Sequence, residues 1–344
     1  MGAPKISVLI PLYNRKHYIE DCINSVLIQT FQDFEIIVCD DGSTDGSAEF
    51  VQKKFAAEIS TGKLKLLRNE KNIGEFPTDN RLLREATGKY VMILHSDDLF
   101  LHQALEQMYE TAEYFKADVV HAGTFLKSLE DGVIDGSKPF KIMCWENRLV
   151  KNFEIVSNEP EARFKEWTNA DTFIDAPYNI FNRQFLLDNE IFFPPQNGNI
   201  LFCLHWLMKA KIYVKTPDIF YVNRDSPDSQ TNDNIARLNK IRKSIFAMKD
   251  LFDYFEQIFS SVDFFKDNEV AQYNAKAIFC NRFEEFEFHR PKFYKNGITS
   301  ELHHAVDSAL KECFGEKADY VTFLFHMTHC LPFDKDYNRI VSLS

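Results

Sequence analysis

Residues 6–43 read ISVLIPLYNRKHYIEDCINSVLIQTFQDFEIIVCDDGS. The stretch opens on one continuous apolar run, Ile6–Leu12, and nearly closes on another, Phe34–Cys39. Neither run alternates polar with apolar, so each predicts a strand covered on both faces. Between them Tyr18, Cys22 and Val26 recur at helical spacing, which predicts a helix within His17–Ile28. Doubly covered strands joined by a helix predict an α/β domain with a parallel sheet.

The alternation continues outward from this stretch. A helix is expected over Asp45–Phe55, with Ser43 or Thr44 as its N-cap. Strands follow at Leu64–Leu67, Tyr90–Leu94 and Asp118–Ala122, with helices through Arg81–Ala86 and over Leu101–Phe115. Residues 126–225 are less regular and hold Trp145, Trp167, a Pro194-Pro195 turn, a helix at Ile200–Ala210 and a strand at Ile212–Lys215. Beyond Ser226-Pro227-Asp228 the pattern turns helical, with candidates at Ala236–Phe259, Val270–His289, Ser300–Phe314 and Ala318–His329. The expected organisation is one α/β domain over residues 1–230, with a nucleotide half at 1–125 and an acceptor half at 126–230, then a helical region at 231–344.

In open α/β sheets, ligands bind beyond the carboxyl ends of the strands. Three polar clusters fall there: Tyr13-Asn14, Asp40-Asp41 and His95-Ser96-Asp97-Asp98. Each alone also reads as a turn with helix-capping carboxylates; together they make a site. Adjacent carboxylates repel unless a cation or donors lie between them. Asp97-Asp98 therefore points to a hard divalent cation, Mn²⁺ or Mg²⁺, bridging protein and diphosphate. Neither GxGxxG nor GxxxxGK[ST] occurs, which disfavours a dinucleotide oxidoreductase or a P-loop enzyme.

The chain carries a net charge of −11, a poor match to the basic face that nucleic-acid binding needs. Its seven cysteines, Cys22, Cys39, Cys144, Cys203, Cys280, Cys313 and Cys330, are scattered and form no CxxC pair. That predicts reduced thiols and a cytoplasmic protein. No apolar run is long enough for a membrane span or a signal peptide, so membrane contact, if any, is expected to be peripheral, at the inner face. There are 33 Phe residues, many in the last third; they are expected to be core, with a homodimer contact through the C-terminal helices as the other use. FEEFEFH (Phe283–His289) spreads aromatics around a helix. His326, His329 and Cys330 have helical metal-ligand spacing but no evident fourth ligand, which favours plain packing.

The opening stretch, extended to GSTDGS, closely resembles the start of family 2 glycosyltransferases, which adopt the Rossmann-like GT-A fold. NEKNIG (69–74), EATGKYVMILHSDD (85–98), FNRQFLLDNEIFFP (181–194) and, more faintly, FYVNRDSPDSQT (220–231) also look like that family. The resemblance covers about residues 5–230 and is strongest before 125. It implies an inverting, metal-assisted transfer of a sugar from a nucleotide-diphosphate donor, often a UDP-sugar, to a glycan or lipid-linked acceptor, as in polysaccharide biosynthesis. Carried over by position, Pro11 and Tyr13, with Asn14 beside them, would frame the base. Asp41 would read the uracil, Asp97 would face the ribose or diphosphate, and Asp98 would hold the metal.

Three positions depart from that pattern. His95 stands where the family has an acid; it is either a metal ligand itself or simply the end of a strand. Asp79 stands where an arginine is frequent, leaving Arg81 or Arg84 to reach the diphosphate. Gly198-Asn199 stands where the family has a glutamate-aspartate pair whose aspartate is the general base, and Asn cannot take up that proton. Asp175, Asp171 and His205 are substitutes, Asp175 preferred because its loop precedes the FNR segment. His205, beside Trp206 on an apolar helix, reads as core. The leading expectation is an active glycosyltransferase. The alternative is a catalytically impaired nucleotide-sugar binder or partner subunit, and a nucleotidyltransferase ranks last for want of a Gly-rich, Arg-containing opening loop.

Overall fold

The computed structural model describes residues 2–122, 126–128, 142–144, 152–168, 175–194, 198–218, 220–224, 250–288, 308 and 311–318. Of the predicted helix at Ser300–Phe314 only 308 and 311–314 are described, and they are helical; the predicted helix at Ala318–His329 past its first residue, 236–249, Trp145, Asp171 and the His326/His329/Cys330 set lie outside these residues.

The first half alternates as the apolar runs require: β1 (Ile6–Leu12), α1 (Ile19–Leu27), β2 (Phe34–Asp40), α2 (Ser47–Lys54), α3 (Ala56–Ser60), β3 (Leu64–Arg68), α4 (Glu75–Glu85), β4 (Tyr90–Ile93), β5 (Leu99–Phe100), α5 (Ala104–Phe115) and β6 (Val119–Ala122). Short strands β7 (Leu126–Ser128), β8 (Ile142–Cys144) and β9 (Glu154–Val156) follow, then α6 (Pro160–Thr168), β10 (Asn179–Asn182), α7 (Arg183–Asp188), α8 (Asn199–Lys209), β11 (Tyr213–Thr216) and β12 (Tyr221–Asn223). The described tail is helical: α9 (250–261), α10 (Asp263–Lys266) and α11 (Glu269–Phe288).

Eight strands form one mostly parallel sheet in the order β3-β2-β1-β4-β10-β6-β11-β9. β1 runs parallel to both β2 and β4, so the carboxyl ends of all three reach one edge. A second sheet, β5-β12-β7-β8, closes over that edge. The continuous apolar runs are explained by two cores, one per face. In β1, Ile6, Val8, Ile10 and Leu12 face one core with α1 and α5, while Leu9 faces the other with α4 and α8. The tail belongs to that second core: Phe255, Phe259, Phe265 and Phe279 are buried with Phe164, Trp167 and Trp206. Phe255, Phe259, Phe265 and Phe279 thus pack within the chain.

The structure corrects two local expectations. Helix α2 is capped neither by Ser43 nor by Thr44; Gly46 takes the N-cap position at φ 82°, and the Ser47 N–H donates to Asp45 Oδ1 at 2.9 Å. The helix expected from Leu101 starts at Ala104, because Leu99–Phe100 pairs instead with β12. Strand β10, which includes Phe181-Asn182 of the FNR segment, enters antiparallel between β4 and β6, with Asp175 just before the turn that leads into it.

Candidate active site

Asp41, just past β2, is nearly buried. Its Oδ1 accepts from Asn69 Nδ2 (2.7 Å) and the Ile73 N–H (2.9 Å), and its Oδ2 accepts from the Gly74 N–H (2.9 Å). Three of roughly four acceptor sites are filled, so Oδ2 keeps one for a ligand N–H. Asn69 is itself held by Arg81, whose Nη1 donates to Asn69 Oδ1 at 2.5 Å and to the Arg68 carbonyl at 2.8 Å. Arg81 therefore braces the 69–74 loop, and Arg84 lies over the Phe192 ring, 4.7 Å from its centroid. Gly42 permits the approach of the two loops: at φ +71°, a Cβ there would sit 2.8 Å from Asn72 N.

On the neighbouring strand end, Pro11 and Tyr13 are part-exposed, and Asn14 takes a left-handed φ of 50°. Its Oδ1 accepts from the Thr44 N–H at 2.8 Å, and its own N–H donates to Ser43 Oγ at 3.0 Å. The loops after β1 and β2 are thereby fixed to each other.

After β4, the two adjacent aspartates have different surroundings. Asp98 is buried, and both of its oxygens are occupied. Tyr221 Oη donates to Oδ2 at 2.6 Å, the Arg224 N–H to Oδ1 at 2.8 Å, and Asn223 Nδ2 lies within 3.4 Å of both. Burial, then Asp97, pushes its carboxyl up to about 6, against the pull of His95 and these donors. A metal at Asp98 would have to displace the Tyr221–Arg224 segment. Asp97 is part-exposed and ion-paired through Oδ2 to Arg15 Nε at 3.1 Å. Its backbone carbonyl accepts from Arg224 Nε, and Arg224 also reaches Asp21 at 3.0 Å. Of the pair, Asp97 is the one with an oxygen to offer. Among the described residues, no three His, Cys, Asp or Glu side chains converge as a ready metal site. One carboxylate beside a donor diphosphate nevertheless suits a cation that takes few protein ligands, as Mg²⁺ does.

His95 lies among acids: Nε2 is 3.4 Å from Glu75, and Nδ1 is 3.8 Å from Asp98. Burial lowers its pKa, but Glu75, Asp98, Asp175 and Asp97 together outweigh this and lift it to about 9. Asp79 is buried, with Oδ1 unpartnered. Burial pushes its carboxyl well up, with Glu75 and Asp175 in the same direction and His95 opposing. His95 and Asp79, two departures noted in the sequence, share one neighbourhood, in which the His95 charge opposes the rise of the Asp79 carboxyl.

Asp175 and Asn199, 24 positions apart, meet in the same wall. Asp175 Oδ1 accepts from Asn199 Nδ2 and, at 2.8 Å, from the Ala176 N–H; that N–H also lies 3.2 Å from Asn199 Oδ1. Gly198 cannot be replaced by the family's glutamate without a shift, since a Cβ there would lie 2.5 Å from the Pro194 carbonyl. His205 is outside the site: it is buried, bonded to Tyr254 Oη at 3.1 Å, and pushed down to about 3 by burial. Arg15, Asn69, Glu75, Tyr221, Asn223 and Arg224 were not singled out from the sequence. The FYVNR segment was noticed only as a resemblance; its task of satisfying Asp98 depends on the second sheet.

A family model described as "Glycosyl transferase family 2" matches residues 7–189, more than half of the chain. Glycosyltransferase GlyG of Streptococcus pneumoniae is 29% identical over 189 residues, covering 55% of this chain and 59% of GlyG. WfgD of Escherichia coli, a UDP-Glc:alpha-D-GlcNAc-diphosphoundecaprenol beta-1,3-glucosyltransferase, is 38% identical over 101 residues, 29% of this chain and 38% of WfgD. The chain thus spans less than two thirds of these relatives. The structure of S. aureus TarS 1-349 with UDP-GlcNAc superposes with a TM-score of 0.64 at 20% identity, covering 96% of this chain and 89% of that one. That likeness is one of fold.

Proposed function

The chain belongs to glycosyl transferase family 2, and from that premise we propose that it moves a sugar from a nucleoside-diphosphate donor, first of all a UDP-sugar, to a hydroxyl of a glycan or lipid-linked acceptor. The observation that carries this reading is the set of polar side chains gathered beyond the carboxyl ends of β1, β2 and β4. There an acceptor site on Asp41, fixed between two loops, lies along the same strand ends as Asp97 and Arg15. Asp41 takes the base N–H. Pro11, Tyr13 and Asn14 border it, and Arg81 acts indirectly, through Asn69. Asp97 would hold a Mn²⁺ or Mg²⁺ ion, which when bound neutralises charge on the leaving diphosphate. Arg15 supplies further positive charge beside it. Direct displacement at the anomeric carbon, with inversion, follows the family resemblance. UDP is the first nucleotide to try because WfgD is named for UDP-Glc and TarS is complexed with UDP-GlcNAc. Residues 1–125 form the nucleotide half, 126–230 the acceptor half, and the tail completes the wall behind α6 and α8.

Among the described residues no helix is long and apolar enough to cross a membrane. A lipid-linked acceptor would be met at the inner membrane face from a peripheral position. Asn199 favours a second reading, a nucleotide-sugar binder without transfer. A thermal-shift panel of UDP-, GDP-, CMP- and dTDP-sugars, with and without Mn²⁺, tests both. A UDP-sugar at 100 times its Kd stabilises the native state by about 2.7 kcal/mol and raises Tm, more so with Mn²⁺. No shift with any nucleotide would refute both readings.

A further inference from the structure

Resting on the transferase reading, we infer that Asp175 is the general base of this site and that Asn199 is the residue that positions it. The reaction needs a group to accept the proton of the attacking hydroxyl, and a neutral amide cannot do so. The described acids beyond these strand ends are Asp40, Asp41, Glu75, Asp79, Asp97, Asp98 and Asp175; Asp40 is fully buried, and Asp41 is committed to the nucleobase and to the 69–74 loop. Asp79 and Asp98 are buried, 3% and 1% exposed, and Asp98 has its oxygens filled by Tyr221, Asn223 and Arg224. Asp97 is tied to Arg15, and Glu75 faces His95 on the donor side.

Asp175 has the required arrangement. Oδ1 receives two donors, Ala176 N–H and Asn199 Nδ2, while Oδ2 accepts no hydrogen bond among the described residues. The turn that follows it, Ala176–Tyr178, lies against β4 and α8, so the carboxylate is held by rigid elements. Asn199 opens helix α8, and its amide clamps Asp175 Oδ1, leaving Oδ2 directed by the clamp. The base thus stands on the turn before β10, one hydrogen bond away from the first residue of α8. Burial raises the Asp175 pKa, with His95, Asn199 and the Ala176 N–H opposing, which strengthens it as a proton acceptor.

The step balances within the site. The acceptor O–H proton passes to Asp175 Oδ2, the freed electron pair forms the new bond to the anomeric carbon, and the anomeric carbon–oxygen bond to phosphate breaks. The nucleoside diphosphate leaves with the electron pair of the broken carbon–oxygen bond, and the protonated carboxyl returns its proton to solvent.

The test uses the full chain, UDP-glucose and UDP-N-acetylglucosamine as donors, water as the acceptor, and UDP release as the signal. UDP binding is measured separately by calorimetry. The wild type is expected to release UDP with a rate that rises with pH through one ionisation above the ordinary carboxylate range. Asp175→Asn should lower kcat about 10²–10⁴-fold, with UDP affinity unchanged. Asn199→Ala should lower kcat by less and move the pH limb, a change that mere structural support would not produce. The swap Asp175→Asn/Asn199→Asp should recover activity over Asp175→Asn alone. Asp175→Asn within threefold of wild type overturns the inference, as does a wild type that binds UDP yet turns over neither donor. A chain that binds no UDP overturns the transferase reading beneath it.

Discussion

An Asp98→Ala variant is expected to lose about 3 kcal/mol of folding stability, read from the urea midpoint at constant slope. The carboxylate holds the Tyr221 hydroxyl, the Asn223 amide and the Arg224 N–H in a buried setting, and alanine leaves all three without their acceptor. A buried donor left unpaired costs about 1–3 kcal/mol, and relaxation of the segment recovers part of that. Asp98→Asn keeps one acceptor oxygen and removes a charge that burial already disfavours, so it should cost much less. The Ala variant should also lose nucleotide affinity, because Arg224 no longer grips the Asp97 carbonyl. A variant as stable as wild type would show that Asp98 is free for another task.

Asp41→Ala is expected to weaken UDP binding by at least 100-fold, about 2.7 kcal/mol, measured by calorimetry. Two effects combine. The acceptor for the base N–H disappears, and Asn69, Ile73 and Gly74 lose the carboxylate that holds their loop in place. Asp41→Asn separates them: it retains one oxygen for the loop but presents an N–H where the ligand needs an acceptor. That oxygen serves Asn69 and Ile73, but the amide nitrogen turns toward the Gly74 N–H, so the variant should cost less stability than Asp41→Ala while losing most of the affinity. Equal affinity in all three proteins would remove Asp41 from the base site.

The first half of the chain was legible from Ile6 onward because a parallel strand buried on both faces has a plain signature, and its polar punctuation falls at the carboxyl edge of the sheet. The family resemblance is borne out by the match over residues 7–189, and the α/β fold by the eight-stranded sheet. The second sheet was not legible. Its strands are two or three residues long, and β12 pairs with β5 and β7 roughly a hundred positions away, a pairing that no local periodicity encodes. For the same reason the donors to Asp98 were missed. Asp97 and Asp98 look alike in a sequence; one is enclosed by Tyr221–Arg224 and the other faces Arg15. In the sequence His95 reads as a metal ligand or a strand end and Asp79 as a missing arginine, whereas the fold sets the His95 charge where it opposes the rise of the Asp79 carboxyl. Asp175 and Asn199 come together only because β10 inserts between β4 and β6, an event that the irregular run after residue 125 does not announce.

A crystal structure of the chain soaked with UDP and Mn²⁺ tests the central claim most directly. The account predicts uracil in the cleft beyond β1 and β2 with its imide N–H on Asp41 Oδ2, and the diphosphate beside Asp97 and Arg15. UDP bound elsewhere, or a cleft that stays empty at saturating UDP, would contradict it.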